Sequence, residues 1–171
     1  GINAPEKGWN DYAGVDVKGK TVVILVNDAD FGATDLNGTF GGKAMTYYGR
    51  WTYKYEEAAR QGAAAALIIH DTKPASYGWN VVESSWTGPQ FYAQTANGNA
   101  DQTKMNGWMT MDSATKIFGM GGHDLPAMMA AAKQPGFKAV PLGATASVSF
   151  NNRMARMDSH NIIGVIPGKK R

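Results

Sequence analysis

The chain has 171 residues, of which 43% are hydrophobic, 11% aromatic and 18% charged, with 21 Gly, 7 Pro and a net charge of +3. That length accommodates one core of ordinary domain size, and the apolar fraction excludes wholesale disorder. No apolar run approaches the roughly 18 residues of a membrane span, so no span is expected. With no cysteine and only His70, His123 and His160, disulfides, thiol catalysis and the common zinc-finger spacings are excluded.

The first residues show no basic leader followed by an apolar run, so no targeting segment is expected. Much of the positive excess sits in Lys169, Lys170 and Arg171. A terminal basic triplet reads as a solvated tail. Nucleic acid would want a folded basic stripe, so no nucleic-acid partner is expected.

In chain order, the first strong element is residues 21–26, almost wholly β-branched and apolar between Gly19-Lys20 and Asn27-Asp28. They predict a strand buried on both faces. A polar, Gly-rich loop follows to about residue 43. Residues 52–61 predict a helix: Tyr55, Ala58 and Ala59 form an i, i+3, i+4 stripe, Glu56 precedes Arg60 by one turn, and Gly62 stands at the left-handed cap position. Residues 65–70 predict a second buried strand, and strand, helix, strand at this spacing predicts a parallel crossover.

Residues 72–107 lack a sustained period and read as loop, with one short strand near Val81 and Val82. A helix is expected over 113–118, with Asp112 as N-cap and Gly119 as its stop. Another should start after Asp124, with Leu125, Met128, Met129 and Ala132 on one face and Pro135 ending it. Further on, Ala144, Ala146, Val148 and Phe150 alternate with Thr145, Ser147 and Ser149, which predicts a half-buried strand, and 161–166 predicts a last one. The expected fold is α/β: a small mixed β-sheet or open barrel-like core with several short helices and long loops.

Several motifs are weaker than they look. Gly14, Gly19, Lys20 and Thr21 satisfy G-x-x-x-x-G-K-T. A phosphate-binding loop must open a helix, however, and this one runs into a strand sequence. Asn27, Asp28 and Asp30 resemble the first half of a calcium loop, but Ala33 and Thr39 stand where its glycine and its bidentate glutamate are needed. Turn formation explains those acidic residues better. Gly119, Gly121 and Gly122 read as a helix stop, and His123-Asp124 as a cap. His70, beside Asp71 at a strand end, is the one acid–base candidate, against the commoner role of a satisfied structural histidine. No Ser/His/Asp set stands out, so no catalytic residue and no metal ligand is assigned.

The most informative stretch holds Tyr47, Tyr48, Tyr53, Tyr55 and Trp51 around Arg50 and Lys54. These rings exceed what one small core can enclose, and an arginine among rings suits carboxylate binding or stacking at an interface. Core and interface roles weigh about evenly for them.

Residues 47–63, running into Ala66-Leu67-Ile68-Ile69-His70-Asp71, resemble the protease-associated domain inserted in zinc-dependent aminopeptidases related to glutamate carboxypeptidase. Residues 11–23 are similar to that domain's entry into its first core strand. Ser159-His160-Asn161-Ile162-Ile163-Gly164 is similar to the return into the catalytic domain. The resemblance implies a protease-associated domain over 1–158, with 159–171 beginning the return segment into a catalytic domain that lies beyond this chain. The family's zinc ligands and general base follow that segment. Zinc would then belong to the absent domain, and no cofactor to this chain.

The resemblance further implies a non-catalytic domain bordering the active-site cleft of a secreted or periplasmic parent aminopeptidase. Its partners would be the catalytic domain of the same polypeptide and a peptide substrate, with Tyr47, Tyr48, Arg50, Trp51 and Tyr53 at the cleft or interface. In the glutamate carboxypeptidase branch an arginine near this position faces the cleft, and Arg50 is the nearest match, one residue out of register. The competing expectation is a freestanding peptide- or glycan-binding module that stacks ligands on Trp79, Trp86 and Trp108 in loops.

Overall fold

The computed structural model describes residues 1–33 and 36–169. Lys170 and Arg171, two of the three terminal basic residues, lie outside the described residues. The chain opens with a small antiparallel hairpin, β1 (Asn3–Ala4) and β2 (Trp9–Asn10), around a 3-10 turn at Pro5–Lys7. β3 (Thr21–Leu25), α1 (Trp51–Arg60) and β4 (Ala65–Ile69) follow, and β3 pairs with β4 in parallel, Val23 opposite Leu67. The expected crossover is therefore present. The G-x-x-x-x-G-K-T segment leads into β3, so its Lys20 opens a strand and no helix follows it.

The second half adds α2 (Thr72–Ala75), α3 (Trp79–Trp86), β5 (Met105–Met109), α4 (Met111–Met120) and α5 (Leu125–Ala131). β5 lies parallel to β4 on the side away from β3, with Ile68 opposite Trp108. The main sheet is thus three parallel strands in the order β3-β4-β5, and the hairpin forms a separate two-stranded sheet. The fold is α/β, with five short helices. The barrel-like alternative fails because the sheet does not close: among the described residues, β3 and β5 each keep an unpaired edge.

Both faces of this sheet are covered, as a parallel sheet requires. Ile24, Ala66 and Ile68 pack with Tyr55 and Ala58 of α1 on one face, joined by half-buried Val22, Trp86 and Trp108. Ile69 and Met109 pack on the other with Ala114 and Phe118 of α4 and Leu125 of α5, joined by Val23, Leu25, Leu67 and Leu142. A third cluster sits apart, where Ile2, Ala4 and Trp9 of the hairpin region meet Phe40 and Tyr53.

Five expectations need correction. Val81 and Val82 lie in α3, where the turn begun at Gly78 buries Val82 and leaves Val81 exposed. β5 begins inside the segment read as loop and runs two residues past its end. Its Met-Asn-Gly-Trp-Met sequence has no β-branched residue, and pairing against β4 makes it a strand. α4 starts two residues early because the Thr110 side chain, and not that of Asp112, accepts from Ser113 N at its N-terminus. α5 ends at Ala131, before Pro135 is reached. Residues 144–150 and 161–166 form no strand; 144–169 are exposed throughout. Their alternating or apolar pattern is suited to a strand, but no described edge pairs with them.

Ile68 is fully enclosed in the central strand. Ile68→Ala should cost about 3 kcal/mol in urea unfolding, from lost transfer energy and the cavity left behind. In hydrogen exchange, amides of 144–169 should exchange like free peptide while those of β4 show the protection of global unfolding.

Candidate functional site at the carboxyl ends of the parallel strands

Parallel strands end on the same side, so the residues that follow β3, β4 and β5 converge there: Val26 to Asp28, His70 with Asp71, and Thr110 with Met111. Such ends, beyond the sheet and before the next helix, are where open α/β sheets place ligands. Two clefts open at this edge. One, of about 360 Å³, is lined by Val26, Met45, Arg50, Trp51, Thr52, Ala75 and Tyr77. The other, of about 300 Å³, lies between β4 and β5, with His70, Asp71, Trp79, Thr110 and Asp112 in its wall.

The first cleft owes its wall to buried polar ties. Asn27 adopts a left-handed conformation, φ 71°, and its Nδ2 donates to the Pro74 carbonyl at 2.7 Å. Asp28 accepts from Thr46 N at 2.7 Å and Thr46 Oγ1 at 2.8 Å, while Asp30 accepts from Phe40 N and Gly42 N. Burial pushes the Asp28 carboxyl up, although both Thr46 donors oppose the shift. The two acidic residues read as half a calcium loop are thus spent on closing the loop that carries Met45. Among the described residues, no group of three or more His, Asp or Glu side chains is placed to hold a metal ion.

Gly49 closes the arrangement. Its carbonyl accepts from Asn27 N at 3.0 Å, and a Cβ there would meet Met45, Asn27 and Asp28 at 2.9–3.0 Å. Only glycine lets the 3-10 turn at Tyr47–Gly49 lie against Asn27 and Asp28 and so deliver Arg50 to the cleft. The Arg50 side chain makes no hydrogen bond or ion pair with a described residue. A guanidinium beside Trp51 and Tyr77 at the mouth of a cleft can bind a carboxylate bidentately.

The five residues expected at a cleft or interface divide into two groups. Tyr47, Tyr48 and Tyr53 turn toward the amino-terminal hairpin, their ring centroids 5.1–6.2 Å apart, with Tyr48 reaching Phe40. Tyr53 is buried there, its hydroxyl accepting from Asn3 N and donating to Asn3 O, and burial raises it to about 12. Tyr48 and the exposed Tyr47 donate to Glu6 and Glu56. Arg50 and Trp51 face the strand ends. The split follows from helical spacing: Trp51 and Tyr55, four apart, share one side of α1, while Tyr53, Glu57 and Arg60 share another.

The three tryptophans read as loop platforms sit elsewhere. Trp86 ends α3 and Trp108 lies in β5, both within 6.1–6.4 Å of the Trp51 ring, and Trp108 Nε1 is enclosed without a partner. Trp79, at the start of α3, lines the second cleft. Thr110 of the second cleft was not singled out by sequence and Asp112 only as a helix cap, since the parallel pairing of β5 with β4 is what brings them to the same cleft as His70.

Comparison of the chain with protein-family models, with curated proteins and with solved structures found no match.

Beneath the site, Lys54 of α1 is buried. Burial pulls its ammonium down to about 8, against attraction from Asp11 and Asp28. Between about pH 8 and 10 the unfolded chain therefore holds a proton at this position that the folded chain has lost, and stability must rise with pH. Burial raises Tyr12, Tyr53 and Tyr55, so these stay protonated in the folded state above pH 10, where the slope reverses. Urea titrations should show the rise from pH 8 to 10 in the wild type and its absence in Lys54→Met.

Proposed function

We propose that this chain is a non-catalytic, protease-associated-type domain that borders the cleft of an adjoining zinc peptidase domain and shapes substrate access. One observation carries the reading. The segment that resembles the family's return into the catalytic domain is apolar yet wholly uncovered, with Ile162 100%, Ile163 86%, Val165 82% and Ile166 96% exposed. Val148, Phe150, Met154 and Met157 continue the same character upstream. Apolar side chains in such density are costly to hold in water, and a neighbouring domain is the partner the resemblance supplies.

The Arg50–Trp51 rim fits the same role. It presents a guanidinium without a partner among the described residues, and an aromatic face, at the edge of a cleft. In the parent enzyme this rim would meet the carboxylate-bearing end of a peptide and leave the bond-breaking step to the zinc domain.

The purified 171-residue chain should not hydrolyse aminoacyl anilides with added zinc, and zinc-dependent turnover would overturn the proposal. In the full polypeptide, Arg50→Ala should raise KM for peptides by roughly three- to tenfold while kcat stays within about twofold, the signature of lost binding and intact chemistry. A fall in kcat with unchanged KM would remove Arg50 from the cleft margin.

A further inference from the structure

Resting on the reading of Arg50 as a cleft margin, we propose that the cleft beyond the end of β3 selects peptides whose carboxyl-terminal residue is apolar. The carboxylate meets Arg50 and the side chain enters the cleft. Val26 and Ala75, both buried, form the inner surface, and the more open Met45, Trp51 and Tyr77 complete the walls. Among the described residues Arg50 is the only charged residue in this lining. No carboxylate competes for it there, since Asp28 accepts from Thr46 with both of its oxygens.

Most of the cleft is held in shape before any ligand arrives. The Asn27 Nδ2 bond to the Pro74 carbonyl, at 2.7 Å, ties the end of β3 to the segment that carries Ala75. His70 Nε2 lies 3.0 Å from the Tyr77 carbonyl and fixes the backbone there. The Trp51 ring is set edge-on against Tyr55 and Trp86, with centroids 5.9 and 6.1 Å away. Met45 is the adaptable wall, an unbranched thioether 42% exposed. A preformed site loses little ordering entropy on binding, so affinity turns on what fills it.

Size and charge then choose the residue. A space of about 360 Å³ accommodates a leucyl, methionyl or phenylalanyl side chain together with its carboxylate. A glycyl residue would leave the apolar walls in water and gain nothing from them. A glutamyl residue brings two carboxylates, and one guanidinium binds only one of them bidentately. The other would lie against Val26 and Ala75, desolvated and without a partner. A lysyl residue would bring a second positive charge to Arg50. An apolar side chain beside a single carboxylate satisfies both parts of the cleft.

NMR titration of the 171-residue chain tests the selection, with N-acetyl-leucine, N-acetyl-glycine, N-acetyl-glutamate and N-acetyl-leucinamide as probes. N-acetyl-leucine should give saturable shifts at the methyl groups of Val26, Met45 and Ala75 and at the Trp51 indole N–H. N-acetyl-glycine and N-acetyl-glutamate should bind roughly tenfold more weakly, the first for want of apolar surface and the second for its stranded charge. N-acetyl-leucinamide keeps the side chain but not the carboxylate, and should bind roughly fivefold more weakly. Met45→Ser, at the open wall, should weaken N-acetyl-leucine roughly threefold and leave N-acetyl-glycine unchanged, which separates a lost contact from a lost fold. Shifts that fail to saturate or map elsewhere would overturn the proposal, as would glycine or glutamate derivatives that bind as tightly as N-acetyl-leucine. Equal binding of those three carboxylates at Arg50 would end the side-chain selection and keep the margin. Equal binding of N-acetyl-leucinamide would remove the margin itself, and the proposal with it.

Discussion

Everything in this molecule is arranged around β4. It is hydrogen-bonded to β3 on one side and β5 on the other, and four of its five residues are buried. A parallel strand in that position exposes no edge and must be covered above and below, which is why α1 packs on one face and α4 with α5 on the other. Because the three strands run the same way, their last residues are forced to one side. The two clefts are a consequence of strand direction before they are a consequence of any particular side chain.

Around that frame, buried polar groups do the positioning. Asn27, Asp28 and Asp30 convert a glycine-rich loop into a defined wall: the two aspartates accept from the backbone N–H groups of Phe40, Gly42 and Thr46, and Asn27 donates to the Pro74 carbonyl. The same economy holds in the hairpin cluster, where the Glu57 carboxylate accepts from Asn3, Arg60 and Gln61. Burial acts to raise its pKa, but these donors outweigh it and hold the group below its ordinary value. Hydrogen bonds to buried carboxylates are worth more than exposed ion pairs, so these ties, and not the surface Glu56–Arg60 pair, set the geometry from which Arg50 projects.

The two halves of the aromatic stretch have separate duties. Tyr47, Tyr48 and Tyr53 attach α1 to the amino-terminal hairpin, while Trp51 and Tyr55 attach it to α3 and β5 through Trp86 and Trp108. Arg50 sits between the two groups at the start of α1, without a hydrogen-bond or ion-pair partner among the described residues, at the edge of a cleft. The accessory role proposed above would account for a rim of this kind together with an uncovered apolar carboxyl-terminal stretch.

How much was legible in the sequence depended on whether an element carried its own signal. Residues 21–26 and 65–70 are apolar and β-branched enough to be strands anywhere, and the Tyr55, Ala58, Ala59 stripe before Gly62 is a helix wherever it lies, so the parallel crossover could be read directly. Asp28 and Asp30 were readable as turn formers, though not the backbone atoms they would tie. β5 was invisible, because Met105 to Met109 lacks strand propensity and becomes a strand only through the partner β4 provides. The reverse happened at 144–150, where a strand-like alternation has no described edge to pair with. A period-2 pattern is local, whereas a ladder needs two chains side by side. The same reason hid a grouping: sequence could name His70 as a titratable group at a strand end, Asp112 as a cap and Trp79 as a stacking platform, but only the folding of β5 against β4 decides that they line one cleft with Thr110.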